Sequence, residues 1–245
     1  MEMKRLFDIV AAVIGLALAT PLLLLFCVLI WLQDRRTPIY TPFRIGRGEQ
    51  PYRIIKLRSM VYQADNNQVD STANSDPRIT ALGRFIRKYK FDELPQLFNV
   101  VKGDMSLVGP RPNVERETRL YSTQEKLLLS VRPGITDFSS IVFADLGATL
   151  EGQADPNIAY NQIVRPYKSR LGLFYIDHSC TVLDIRLLWL TVLNAIDRRA
   201  ALRKISALIA ELGGSSELVE VALRVKPLTP APPPGMSEIV TTRGR

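Results

Sequence analysis

The chain has 245 residues, enough for one sizeable core with an appendage. Its 32 Lys/Arg against 24 Asp/Glu leave a net charge of +8, which favours anionic partners. No zinc-finger, RNP-like aromatic or basic-zipper pattern accompanies that charge, so nucleic acid is not the expected partner. Two cysteines without ligand spacing, Cys27 and Cys180, argue against a disulfide framework.

The first element is an uncharged run, Ile9–Leu32. As one straight helix its 24 residues would measure about 36 Å, enough to cross a hydrocarbon core of roughly 30 Å. Thr20-Pro21 falls near its middle, where proline removes a backbone donor and crowds the preceding turn. A break there leaves two arms, Ile9–Ala19 and Leu22–Leu32, each too short to span alone. Lys4 and Arg5 precede the run and Arg35 and Arg36 follow it, so positive charge places both ends on the cytoplasmic side. A re-entrant helix-break-helix hairpin satisfies both facts, with Thr20 serving backbone groups freed at the break, and a kinked span remains open beside it. A cleaved signal peptide does not fit, because the apolar run continues well past the Ala17-Leu18-Ala19 cleavage-like site.

Seven basic residues then fall within 34–60, namely Arg35, Arg36, Arg44, Arg47, Arg53, Lys56 and Arg58. A juxtamembrane cluster of this kind attracts anionic headgroups at about 1 kcal/mol per charge and suits anionic substrates equally. Extended segments near Ile39–Arg44 and Tyr52–Arg58 flank Gly46-Arg47-Gly48 and read as a β-hairpin; residues 62–78 read as a polar loop. From Ile79 the spacing of Leu82, Phe85, Ile86 and Tyr89 is helical and leaves Arg84, Arg87 and Lys88 on other faces.

Asp92 and Glu93 follow directly. Among so many cations both are expected to be ionised, suited to holding a divalent metal and attacking a phosphate. The plain alternative is structural: Asp92 as the N-cap of a helix through Glu93–Val101, with Pro95 in its first turn. Gly109-Pro110-Arg111-Pro112 pre-sets a guanidinium suited to a phosphate or to a carboxylate of the fold itself. Further on come a turn at Arg132-Pro133-Gly134, an exposed loop over 144–157, and helices over Ser169–Ile176 and Val182–Ile196. Amphipathic helices are expected over 198–224 around Gly213-Gly214, and a Pro-rich linker or tail over Pro227–Pro234. His178, the only histidine, reads as a packed or surface residue rather than a triad member.

From Met3 to Ile196 the chain resembles the bacterial sugar transferases, monotopic polyprenyl-phosphate phosphoglycosyl transferases. The likeness rests on Lys4-Arg5 with Asp8, the proline break, KLRSM at 56–60 and DPRITALGRFIRKYKFDELPQLFNV at 76–100. It continues through GDMSLVGPRP at 103–112, RPGIT at 132–136 and a closing helix containing Asp184. The resemblance implies a mostly helical α/β protein with a re-entrant membrane hairpin (1–36), a small cytoplasmic catalytic domain with a β-hairpin (37–196) and a helical, Pro-rich tail (197–245).

It implies transfer of a sugar-1-phosphate from a UDP-sugar to polyprenyl phosphate at the cytoplasmic leaflet of the bacterial inner membrane. UMP is released and Mg²⁺ assists. Asp92 would be the nucleophile and Glu93, with Asp92, the metal ligand. Arg87, Arg111, Lys56 and Arg58 would be phosphate ligands, and Thr20-Pro21 the membrane break. Anionic lipids, downstream glycosyltransferases and a second copy of the chain are the further expected partners. Two departures stand out: Thr20 where the family usually has Ser, and DFSSIVFADLG at 137–147, which leaves the donor sugar open. A non-catalytic tether recruiting glycan-assembly partners through the Pro-rich tail is the rival from another class.

Overall fold

A computed structural model describes residues 2–64 and 76–241, so most of the expected polar loop over 62–78 lies outside the described residues. Among the described residues the architecture is mostly helical with three two-stranded sheets.

Helix α1 runs from Glu2 to Asp34 without interruption, and Pro21 lies inside it. The expected helix-break-helix is therefore one helix. Proline removes a single donor here. Thr20 Oγ1 back-bonds to Leu16 O at 2.7 Å, and Ala19 and Leu23, on either side of Pro21, are both buried against the domain. The buried stripe of α1 is Asp8, Ala12, Ala19, Leu23, Phe26 and Ile30, one helix face repeated over its whole length. Its other side exposes Leu6, Val10, Val13, Leu18, Leu24, Leu25 and Val28. By length and composition, Met3–Asp34 is apolar enough to cross a membrane.

The hairpin expectation holds, in two antiparallel pieces. Strand β1 (Ile39–Tyr40) pairs with β4 (Lys56–Leu57), and β2 (Phe43–Ile45) pairs with β3 (Pro51–Arg53) around a 3₁₀ turn at Arg47–Glu49. Helix α2 (Ala81–Lys88) starts at Thr80, whose Oγ1 accepts from Gly83 N at 2.9 Å. Helix α3 (Gln96–Lys102) leads to β5 (Ser106–Val108). Strand β5 runs parallel to β6 (Gly134–Thr136), so the two motif segments GDMSLVGPRP and RPGIT lie side by side. A Cβ on Gly134 would sit 2.1 Å from Gly109 N, so only glycine lets these strands meet where the Arg111 turn begins.

Short helices α4 (Glu115–Thr118), α5 (Phe138–Val142), α6 (Leu146–Thr149) and α7 (Pro156–Ala159) follow. The expected exposed loop over 144–157 thus contains helical turns, and Leu150 is buried. After a π-helical turn at Tyr160–Val164 come α8 (Arg165–His178) and α9 (Thr181–Ile196). His178 Nδ1 engages Phe174 O on its own helix at 2.8 Å.

Helices α10 (Arg198–Glu211) and α11 (Ser216–Leu223) share the main core through Ala201, Ile205, Leu208, Ile209, Leu218 and Ala222. The Pro-rich segment after them docks as well. Tyr167 Oη donates to Thr229 O at 2.9 Å, Arg170 donates to Pro232 O at 3.0 Å and Ser122 Oγ donates to Pro234 O.

Candidate active site

The site is built where α2 ends. Lys90 adopts a left-handed conformation (φ 60°), unusual for a side-chain-bearing residue, and throws the chain into a 3₁₀ turn, Phe91–Glu93. Helix α3 begins only at Gln96, with Pro95 before it and no side-chain cap. The N-cap expected of Asp92 is therefore absent. With Pro95 at the N-cap position, the helix starts three residues too late for Asp92 to reach its amides. Asp92 is buried, and its Oδ1 has no hydrogen-bond partner. An orphaned buried carboxylate oxygen is costly and rare in a purely structural role.

Glu93 has the opposite surroundings. Arg111 grips it with both terminal nitrogens, Nη1 at 3.2 Å from Oε2 and Nη2 closer still to Oε1. Lys56 Nζ lies 3.4 Å from Oε1. Burial alone would raise the Glu93 carboxyl, but Arg111 and Lys56 override it and hold the group well below the usual range. Burial raises the Asp92 carboxyl, the adjacent Glu93 charge adds to this, and Lys56, Lys90 and Arg87 only partly offset it. The expectation that both acids are ionised thus holds for Glu93, while the Asp92 carboxyl, with no bonded cation, is raised above its ordinary value.

Among the expected phosphate ligands, Lys56 and Arg111 meet at Glu93, and Arg87, in the last turn of α2, bears on Asp92 electrostatically. Arg58 stands apart. Its guanidinium is bound by Asp34 at the end of α1, at 2.5 and 2.6 Å, which draws Asp34 down to about 2. At the other end of α1, Lys4 pairs with the buried Asp184, which also accepts from Tyr175 Oη at 2.7 Å. Arg5 caps α3 by donating to Val100 O at 2.7 Å, and Asp8 accepts from Ser106 Oγ at 2.8 Å. The residues Lys4, Arg5, Asp8 and Asp184 therefore fasten the helix to the domain. Thr20 and Pro21 lie mid-helix, away from this chemistry.

Sequence reasoning missed three polar residues. Gln96, the first residue of α3, is buried with an unpartnered Nε2. Asp137 and Lys168 both bear electrostatically on Arg111 across a small cavity. The irregular segment after RPGIT was the one signal pointing there.

Two adjacent carboxylates, one with an unmet oxygen, suit a hard divalent cation. Glu93 retains lone pairs beyond those its three donors use. No cluster of three His, Cys, Asp or Glu side chains occurs among the described residues, so such an ion would complete its shell with water and substrate oxygens.

The chain matches the bacterial sugar transferase family over residues 1–198. It is 42% identical over 155 residues to a Bacillus subtilis (strain 168) protein provisionally named undecaprenyl-phosphate N-acetylgalactosaminyl 1-phosphate transferase, covering 63% of this chain and 83% of that one. It is 40% identical over 146 residues to the UDP-N-acetylgalactosamine-undecaprenyl-phosphate N-acetylgalactosaminephosphotransferase of Aeromonas hydrophila, covering 57% of this chain and 34% of that one. It is 40% identical over 141 residues to the UDP-glucose:undecaprenyl-phosphate glucose-1-phosphate transferase of Caulobacter vibrioides (strain ATCC 19089 / CIP 103742 / CB 15), covering 56% and 53%. The chain therefore spans most of the first relative but only about a third and a half of the other two. With a match across four-fifths of its length, the chain belongs to the bacterial sugar transferase family.

Proposed function

We propose that this protein transfers a sugar-1-phosphate from a UDP-sugar to polyprenyl phosphate at a membrane surface, through a phosphosugar held on Asp92. The observation that carries this reading is the buried, unpaired Oδ1 of Asp92, bound to no cap and no cation, beside the ionised Glu93. Both named relatives of established donor act on undecaprenyl phosphate, one with an N-acetylgalactosamine donor and one with a glucose donor. The reaction class follows them; the sugar does not.

In the first step a carboxylate oxygen of Asp92 attacks the phosphorus that bears the sugar. The bond from that phosphorus to the bridging oxygen breaks, and UMP leaves with the electron pair. In the second step a phosphate oxygen of the polyprenyl phosphate attacks the same phosphorus and returns the carboxylate, giving a polyprenyl-diphosphate sugar. Both steps bring anions together, so Arg87 and Lys90 lower the cost around Asp92 while Arg111 and Lys56 fix Glu93. Magnesium, held by Glu93 and Asp92, would neutralise diphosphate charge. The depressed Glu93 keeps a ligand charged at neutral pH.

The membrane part of the proposal is a one-leaflet attachment on the cytoplasmic face. Both ends of α1 are tied to the same folded domain, Lys4 to Asp184 and Asp34 to Arg58. A helix crossing the bilayer would put those two ends on opposite sides. The apolar outward face of α1 is matched by a stripe on α9, Val182, Ile185, Trp189, Val192 and Ile196, all more than half exposed. The docked Pro-rich segment lends no support to a free recruiting tail.

The test is UMP release from a panel of UDP-sugars by membrane-embedded protein with Mg²⁺. Intact-mass measurement after donor exposure without acceptor accompanies it. Release plus a mass gain of one phosphosugar is expected; release without any adduct would replace the covalent route by direct transfer.

A further inference from the structure

Beside the Glu93 cluster lies a cavity of about 30 Å³ between the Pro110-Arg111 turn, the start of α5 and the π-helical turn leading into α8. π-helical turns of this kind recur at functional sites. The cavity holds about two water-sized groups, room for phosphate oxygens but not for a pyranose ring.

Its polar lining is almost entirely spent. Arg165 is bound by Glu125, Nε to Oε1 at 2.9 Å and Nη2 to Oε2 at 2.5 Å, and by Leu120 O. Ser169 donates to Glu125 and Asn113 donates to Tyr121 Oη. Asp137 caps α5, accepting from Ser140 N at 2.7 Å and from Ser139 Oγ. Arg111 is committed to Glu93.

Lys168 is the exception. Among the described residues no carboxylate lies within ion-pair distance of its ammonium, whose one marked contact is the Tyr160 ring at 5.5 Å. Burial, reinforced by the Arg111 charge, pushes Lys168 down to about 8, and Asp137 and Glu117, neither within ion-pair distance, only partly offset it. Tyr160 lines the same cavity, and its hydroxyl makes no hydrogen bond to another described residue. The two uncommitted groups are both donors, so their complement is an acceptor-rich anion.

We infer that Lys168 and Tyr160 form a second phosphate-binding pocket next to Arg111, which holds a substrate phosphate other than the one under attack. This rests on the proposed reaction, whose donor and acceptor both bring phosphate to the site. The shared chemistry is a phosphate oxygen; its source is either the nucleotide's α-phosphate or the lipid phosphate.

The test compares full-length wild type with Lys168→Met and Lys168→Arg in nanodiscs. KM and kcat are measured for donor and acceptor separately, and thermal stabilisation by UDP is measured without turnover. A tenfold or larger rise in donor KM for Lys168→Met, with UDP stabilisation lost and both recovered in Lys168→Arg, identifies the nucleotide phosphate. A rise confined to acceptor KM, with UDP stabilisation intact, identifies the lipid phosphate. Unchanged KM values for both substrates overturn the inference, as does a kcat loss that arginine fails to rescue. If wild type releases no UMP from any donor, the proposed reaction fails, and UDP stabilisation then decides the pocket: equal stabilisation of wild type and Lys168→Met overturns it.

Discussion

Two buried acids, Asp92 and Glu125, stand in contrast. Glu125 is fully buried, and both its oxygens are used, by Arg165, Ser169 and the Ser122 amide. Asp92 is nearly as buried, yet one oxygen has no partner and no cation is bonded to it. Burial is common to both, so burial does not mark function. The unmet bonding does: Glu125 is finished by its own fold, whereas Asp92 is complete only when something else arrives.

The sharpest way to break this contrast is Asp92→Asn. It should abolish UMP release, by about 10⁴-fold or more as for loss of a nucleophile, while thermal stability stays level or rises. Retained turnover would remove Asp92 from the role assigned to it. Glu125→Ala should do the reverse. It strands the buried Arg165 and should cost about 3–5 kcal/mol in denaturant unfolding. Any loss of turnover should be recovered at lower temperature, where the folded fraction is restored.

pH sharpens the same comparison. The Asp92 carboxyl is raised above its ordinary 3.8, so the folded state holds its proton longer than the unfolded chain does. Its contribution to stability is present at low pH and declines as pH rises from 3.8 through the raised value. Over that interval the adduct-forming rate should climb as the nucleophile ionises, and Asp92→Asn should flatten the stability change. Glu93 has the opposite sign. Its stabilisation is present above the ordinary 4.5 and fades as pH falls through its depressed value. The smallest effect is remote from both: Thr80→Ala removes the cap of α2 and should cost about 1 kcal/mol, with KM unchanged.

The site was partly legible in the sequence. The adjacency of Asp92 and Glu93, the cations around them and the proline-flanked Arg111 are local features, and the structure brings Lys56, Glu93 and Arg111 into contact. Arg58 was misjudged because sequence proximity to Lys56 says nothing about direction. Residues two apart on a strand share a face, but β4 ends at Leu57, and Arg58 beyond it turns to Asp34 instead. The cap assigned to Asp92 failed on one residue, Lys90, whose left-handed backbone no propensity rule anticipates for lysine.

The break at Pro21 was over-read. A single proline removes one bond, and packing along the whole face of α1 spans the defect. The Pro-rich segment was rightly kept out of any helix. Proline, however, gives up its donor while keeping its carbonyl, and those carbonyls dock onto Arg170 and Ser122. Lys168 and Asp137 were illegible because α5 and α8 meet only in the folded chain.

The Lys4–Asp184 clasp joins residues 180 positions apart. On a ribosome adding about 5–20 residues per second, the amino end of α1 waits roughly 10–40 s for its partner to be made. Until Leu57, Ile86 and α3 have been made, the packing stripe of this long apolar helix has no protein surface to cover it, and its outward face stays exposed even in the folded chain. Lipid or a chaperone must shelter it first, and the domain then closes upon a helix already in place. Release from the ribosome into water alone should therefore yield aggregate rather than enzyme, and the order of synthesis is itself a reason for this chain to be made at a membrane.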